Sequence, residues 1–243
     1  MAKTDIGPPD YRTMLPETVK KNYGKWKYHE ILQPGVLKHV SETGDELYTV
    51  RAGSPKLVSI DFIRDICDIA DKYCDGHLRF TSRYNIESMT PGKTKVAPIL
   101  EEVKKLGLPR RCGGTGAGIS TIFLTHEYIH FHTPPQEMSC RGKKVKCEIF
   151  DYFQGTTLPA QVRASMACCP YMCGDVLCVD IALLGYHRKP PIVVDEVILS
   201  ICEIIPTTMA SPTGAFLPAK TGDNKKTVMI KGERCMFCGN CYT

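Results

Sequence analysis

The sequence predicts an α+β fold of mixed sheet and helix layers, ending in a smaller segment of different texture. Three observations carry this. β-type runs alternate with segments of helical apolar period from residue 26 to about 170. After Pro206 the chain becomes rich in Pro and Gly and short in elements. Closely spaced cysteines then appear both at 168–173 and at the end of the chain.

The elements follow in order. WKYHEILQPGVLKHV and ELYTVRAG, separated by the turn-like SETGD, predict strands of a hairpin region. Ser59 predicts an N-cap for a helix over IDFIRDICDIADKYC, with Ile60, Ile63, Ile66 or Cys67, and Ala70 on one face and Gly76 ending it. HLRFTSRYNIESM predicts a return to strand. KVAPILEEVKKLG predicts a second amphipathic helix stopped by Gly107. ISTIFLTHEYIHFHT then predicts strand, KKVKCEIFDYFQG helix and QVRASMACC strand. The change of texture places a boundary near 205. Residues 1–205 divide into a sheet half to about 110 and a cysteine-bearing half over 111–205, and 206–243 form a partial domain.

Composition bounds the function. Of 243 residues, 43% are hydrophobic and 23% charged, enough for a sizeable core. A net charge of +5 is too mild to argue for nucleic acid but suits small anionic ligands. The first residues have no apolar h-region, and no apolar run reaches the about 18 residues of a membrane helix, so a cytoplasmic chain without membrane insertion is expected. In a reducing compartment 13 cysteines, an odd number, point to metal or redox chemistry rather than to a disulfide framework.

CMFCGNC places Cys235, Cys238 and Cys241 at C-x-x-C-x-x-C spacing, which lets one tight loop aim three thiolates at an iron–sulfur cube. Zinc competes, but its motifs pair separated knuckles rather than chaining three cysteines. The fourth ligand of such a loop is a distant cysteine preceding proline; the matching segment, MASPTGAF, has Ser211 there. A hydroxyl oxygen is a harder, more weakly acidic donor, so a cluster here is expected to be labile, three-iron or absent; Cys202 is a substitute candidate, but it reads first as part of the preceding helix EVILSICEI. ACCPYMCG adds Cys168, Cys169 and Cys173, three donors from a strand end and turn that need a fourth from elsewhere. Adjacent cysteines rarely bridge one another.

LPAQVRASMACCPYMCGDV, HLRFTSRYNIE, the glycine-rich CGGTGAGIS, the HTP of IHFHTP, GYHRKPP and CMFCGNCYT together resemble the beta subunit of dissimilatory sulfite reductase. So does TDIGPPDYR followed by KKNYGKWKYHEILQPGVLKHV. The resemblance runs over essentially the whole chain. It covers about the first two thirds of a typical family member, which implies a chain shortened at its C-terminus.

The resemblance implies a sulfite/nitrite reductase-type fold followed by a partial ferredoxin-like domain. It implies sirohaem coupled to a 4Fe–4S cluster, six-electron reduction of sulfite towards sulfide, and a second 4Fe–4S cluster that feeds the first. It also implies an alpha subunit in an alpha2beta2 assembly and a small sulfur-carrier protein as partners. Cys168, Cys169 and Cys173 match cluster ligands, with Cys173 matching the thiolate shared by cluster and haem iron. The fourth cysteine of that set is replaced by Phe131, which cannot ligate iron. Arg79 and Arg83, at i and i+4 of one predicted strand and so on one face, resemble the arginines that line the sirohaem pocket. Arg163 falls on the second of a substrate-binding basic pair, the first being Gln161, which implies completion by the alpha subunit. Arg188 and Lys189 are weaker candidates, and Gly114, Thr115 and Gly116 form a candidate carboxylate cradle.

Plainer readings stand beside these. Isolated arginines are usually solvated. The glycines at 114, 116 and 118 fall two apart, which excludes a dinucleotide-binding fingerprint and leaves a simple turn as the competitor. His130 and His132 share a strand face and bind locally or a metal, and Cys67, Cys74 and Cys178 read as small buried apolar residues. The alternative function is a degenerate, non-catalytic subunit or a zinc-holding structural module that keeps the fold.

Overall fold

The structure, a computed structural model, describes residues 10–108, 117–119, 122–125, 134–153, 158–171, 173–201 and 203–242. It divides into two compact units, residues 1–121 with 149–162, and residues 122–148 with 163–243. The boundary expected near 205 falls at the start of a helix inside the second unit.

The first unit is built on a five-stranded antiparallel sheet of order β1-β2-β3-β5-β4. Its strands are β1 (Trp26–Gln33), β2 (Val36–Ser41), β3 (Glu46–Ala52), β4 (Leu78–Phe80) and β5 (Ile86–Thr90). Before β1 lies α1 (Glu17–Lys21). Alternation sends Val36, Tyr48, Val50, Ala52 and Ile86 to one face, where they pack against α2 (Ile60–Tyr73) and α3 (Val96–Lys105). Helix α2 starts where the sequence predicts: the Phe62 amide donates to Ser59 Oγ at 3.1 Å. Its buried stripe is Ile66, Ile69 and Ala70, whereas Ile60 and Ile63 are exposed. At about 100° per residue, Ile60 and Cys67 lie at least 100° round the helix from Ile66, off the stripe. Cys67 is accordingly exposed, and so is Cys178; of the three cysteines expected in the core only Cys74 is there.

The run HLRFTSRYNIESM is two strands, not one. Between β4 and β5 the chain turns, with the Tyr84 amide bonded to Thr81 O, the Asn85 amide to Thr81 Oγ1, and Tyr84 at φ 61°. Arg79 therefore lies on β4 and Arg83 in the turn, so the two do not share a strand face.

The second unit holds a three-stranded parallel sheet, β6 (Phe123–Leu124), β7 (Ala164–Ala167) and β8 (Ile181–Leu184), with β7 central and wholly buried. Helix α4 spans Ser139–Glu148, starting earlier than expected, and α5 (Phe150–Phe153) belongs to the first unit. Helices α6 (Asp195–Ile201) and α7 (Ile204–Met209) precede the hairpin β9 (Phe216–Lys220) and β10 (Lys226–Ile230). Thr227 donates to the Asp195 carboxylate, tying β10 to α6.

Candidate metal centre

The parallel sheet positions the first cysteine constellation. β7 ends at Ala167, so Cys168, Cys169 and Cys173 leave its carboxyl end, where parallel sheets present their sites. Cys168 is buried, Cys169 half-buried and Cys173 exposed. The Cys168 amide donates to Thr125 Oγ1 at 3.3 Å, and the Gly185 backbone lies directly on the Cys168 carbonyl, leaving no room for a side chain. The turn closes at Gly174, with φ 75°, where an added Cβ would come within 2.7 Å of the Phe123 ring. Ser165 Oγ donates to the Gly174 carbonyl, fixing the turn against β7.

The second constellation lines a small cavity of about 20 Å³. Cys235, Cys238 and Cys241 share its wall with Ser211, His187 and Lys189. Folding thus brings Ser211 to the same wall as the three loop cysteines. Its hydroxyl oxygen accepts the Ala215 amide at 3.0 Å, and Cys235 Sγ accepts the Phe237 amide at 3.4 Å. The loop is held by Phe237 at φ 58°, whose carbonyl accepts the His187 amide, and by Asn240 Nδ2 on the Ala210 carbonyl at 2.6 Å. Burial raises the Cys241 thiol above its ordinary pKa, a backbone hydrogen bond opposing it and Cys238 and Cys235 adding to it.

Among the described residues no three Cys, His, Asp or Glu side chains converge tightly enough to hold one metal ion. Zinc needs such convergence at a single point. A cube of four irons instead takes its sulfurs at separate corners, around a volume. The wall at Ser211 and Cys235–Cys241 offers three thiols and one hydroxyl, a donor set of the kind such a cube takes.

Tyr171 stands between the constellations. It lies in the turn between Cys169 and Cys173, and its hydroxyl is 3.9 Å from Cys238 Sγ. Burial, then the contact with Cys238, push the phenol up to about 12, with Cys169 and Cys241 adding to the effect.

The expected arginines are distributed differently. In the first unit Arg79 is ion-paired to Glu87, a wholly buried carboxylate that also accepts Arg51 at 2.9 Å. The three stand side by side on β3, β5 and β4, on the sheet face away from the helices. Arg79 also lines a groove of about 390 Å³ there, with Trp26, His39, Thr49 and Met89. Burial lowers the His39 pKa against the pull of Glu87. In the second unit Arg163 is exposed just before β7, its amide donating to the Asp180 carboxylate at 2.7 Å. Arg188 is exposed and is not among the cavity-lining residues, whereas Lys189 is. Gly114, Thr115, Gly116, His130, Phe131, His132 and Cys202 lie outside the described residues. The sequence reading did not single out Glu87, Arg51 or Tyr171. No local signal marked them: Glu87 alternates with the core-facing Ile86 and so reads as a solvent-facing position of its strand.

Residues 39–106 match the nitrite/sulfite reductase ferredoxin-like half domain, and residues 139–235 match the nitrite and sulphite reductase 4Fe-4S domain. Three curated relatives are named sulfite reductase, dissimilatory-type subunit beta. That of Nitratidesulfovibrio vulgaris is 48% identical over 99% of this chain and 65% of its own length. That of Archaeoglobus fulgidus is 48% identical over 99% and 66%. The Megalodesulfovibrio gigas protein is 43% identical over 97% and 93%. The chain thus spans about two thirds of the length of the first two. A crystal structure of dissimilatory sulfite reductase I superposes with a TM-score of 0.72 over 89% of this chain and 57% of that one; at 16% identity this supports the fold. No helix of the described residues is long and apolar enough to cross a membrane.

Proposed function

The chain belongs to the dissimilatory-type sulfite reductase beta-subunit family, and from that premise we propose that it works with an alpha-type partner to reduce sulfite towards sulfide. We place it in an alpha2beta2 assembly in the cytoplasm, exchanging product with a small sulfur-carrier protein. A sirohaem coupled to a 4Fe–4S cluster, when bound, supplies stored electrons at an open iron site. Cys168, Cys169 and Cys173 are the ligand candidates at that centre, and Cys235, Cys238, Cys241 and Ser211 hold the second cluster.

The observation that carries this reading is the single cavity walled by Ser211 and the three loop cysteines. The chain's own residues have separable tasks there. The Ala215 amide orients Ser211 Oγ through a hydrogen bond, the Phe237 amide does the same for Cys235 Sγ, and Lys189 adds positive charge to the wall. Glu87 holds Arg79 by one carboxylate oxygen, leaving the exposed part of the guanidinium for a macrocycle carboxylate. In this reading Arg83, Arg163 and Arg188 act as further anion donors, and Gly114, Thr115 and Gly116 as a carboxylate cradle.

Anaerobic purification of the chain with an alpha-type partner tests the reading. The expected product is coloured, contains iron, acid-labile sulfide and sirohaem, and reduces sulfite with a strong one-electron donor. Cys235→Ala is expected to remove roughly half of this chain's cluster iron, and Ser211→Cys to raise iron retention. A colourless product carrying stoichiometric zinc would overturn it.

A further inference from the structure

The contact between the two cysteine constellations carries an inference that rests on the reading above and goes beyond it. We propose that Tyr171 is a positioning residue that couples the constellations, its hydroxyl donating to Cys238 Sγ and setting the potential of the cluster in the Cys235–Cys241 loop.

Four features of the molecule support it. The Cys238 thiol donates to Tyr171 Oη at 3.9 Å, although the two residues are 67 positions apart. Once Cys238 is a metal-bound thiolate it has no proton to give, so the phenol is the donor of that pair. Cys238 shares its cavity wall with Cys235 and Cys241, so the contact falls within the donor set of the loop. Finally, the backbone of Tyr171 is part of the short turn that carries Cys169 and Cys173, and Ser165 and Gly174 pin that turn to the buried strand β7. One side chain therefore spans from the first set of sulfurs to the second.

The chemistry follows from charge. Reduction adds an electron to the cluster and makes its ligand sulfurs more negative. A hydroxyl donated to one of them stabilises the reduced form more than the oxidised form and raises the potential. It also occupies, with an aromatic ring, space beside the sulfur that water would otherwise fill. A residue that only packs would be replaced without effect by phenylalanine.

Tyr171→Phe separates the two roles, because it keeps the ring and removes the proton. In the iron-loaded chain with its partner, an EPR-monitored redox titration should show unchanged iron content and a lower potential for the second cluster. At the poise where the wild-type cluster is half reduced, the reduced-to-oxidised ratio should fall on the order of ten-fold. The wild-type resonance Raman iron–sulfur bands should shift in deuterated water, and that part of the shift assigned to Cys238 should vanish in the variant. Coincident titration curves overturn the proposal. In the metal-free chain, alkylation mapped by mass spectrometry should change the Cys238-to-Cys67 labelling ratio at least two-fold between wild type and variant. An unchanged ratio overturns the contact itself. If the wild-type chain takes up no iron, the cluster reading fails; loading without a shift in potential defeats the Tyr171 role alone.

Discussion

Cys74 and Glu87 show how single residues are defined by what surrounds them. Cys74 caps α2 and is 1% exposed, and burial pushes its thiol up to about 11, with hydrogen bonds to Ser88 and Met89 pulling against it. In an unfolded chain a thiol ionises near about 8.5. The folded value is the higher one, so the stabilising contribution is fully present below about pH 8.5 and is lost as pH rises through 11. Under reducing conditions the urea midpoint should fall progressively across that window, and Cys74→Ala should flatten the fall while costing about 1 kcal/mol at pH 7. An identical pH profile in the variant would assign the loss to other groups. Glu87 is buried on the face opposite the helices and takes two guanidiniums, one of them from the arginine that the sequence offers as an anion binder. A buried carboxylate needs such partners, so part of the positive charge of Arg79 serves the fold.

At the scale of elements, local signals were legible wherever the chain supplies its own partners. Ser59 caps α2, and Gly107, at φ 71°, ends the turn after α3, because both tasks are done by neighbours in sequence. The hairpin between β4 and β5 was not legible. Its turn contains no glycine or proline and rests on Thr81 bonding Asn85 and on Tyr84 in a left-handed conformation. The site turn is the clearer case. Gly174 is required both by φ 75° and by the Phe123 ring, so Gly174→Ala should destabilise the protein by about 1–3 kcal/mol, read as a lowered Tm. Retention of wild-type stability would mean that the turn re-forms without the ring contact.

Across the molecule, both cysteine constellations fall in one unit. The cysteines of both constellations belong to residues 163–243, while the five-stranded sheet and its helices belong to the other unit. Ligands that bind only the folded form stabilise what they bind. Anaerobic iron loading should therefore raise hydrogen-exchange protection across β7, β9 and β10 by about ten-fold or more, and leave β3 and β5 within about two-fold of the metal-free chain. Equal gains in both sets of strands would show that the units open together.

The sequence alone determined the α+β class, the alternation of the sheet and the amphipathic helices. It also determined the family likeness and the sulfur spacings that point to iron rather than to a disulfide framework. Those depend on near neighbours, whose geometry the backbone period sets. Only the tertiary structure decided that Ser211 shares a cavity with Cys235, Cys238 and Cys241, that Arg79 spends charge on Glu87, and that Tyr171 reaches Cys238. The Ser211 and Tyr171 contacts join residues more than twenty positions apart, and for all three the deciding factor is which surfaces packing brings together, for which no local pattern in the chain codes.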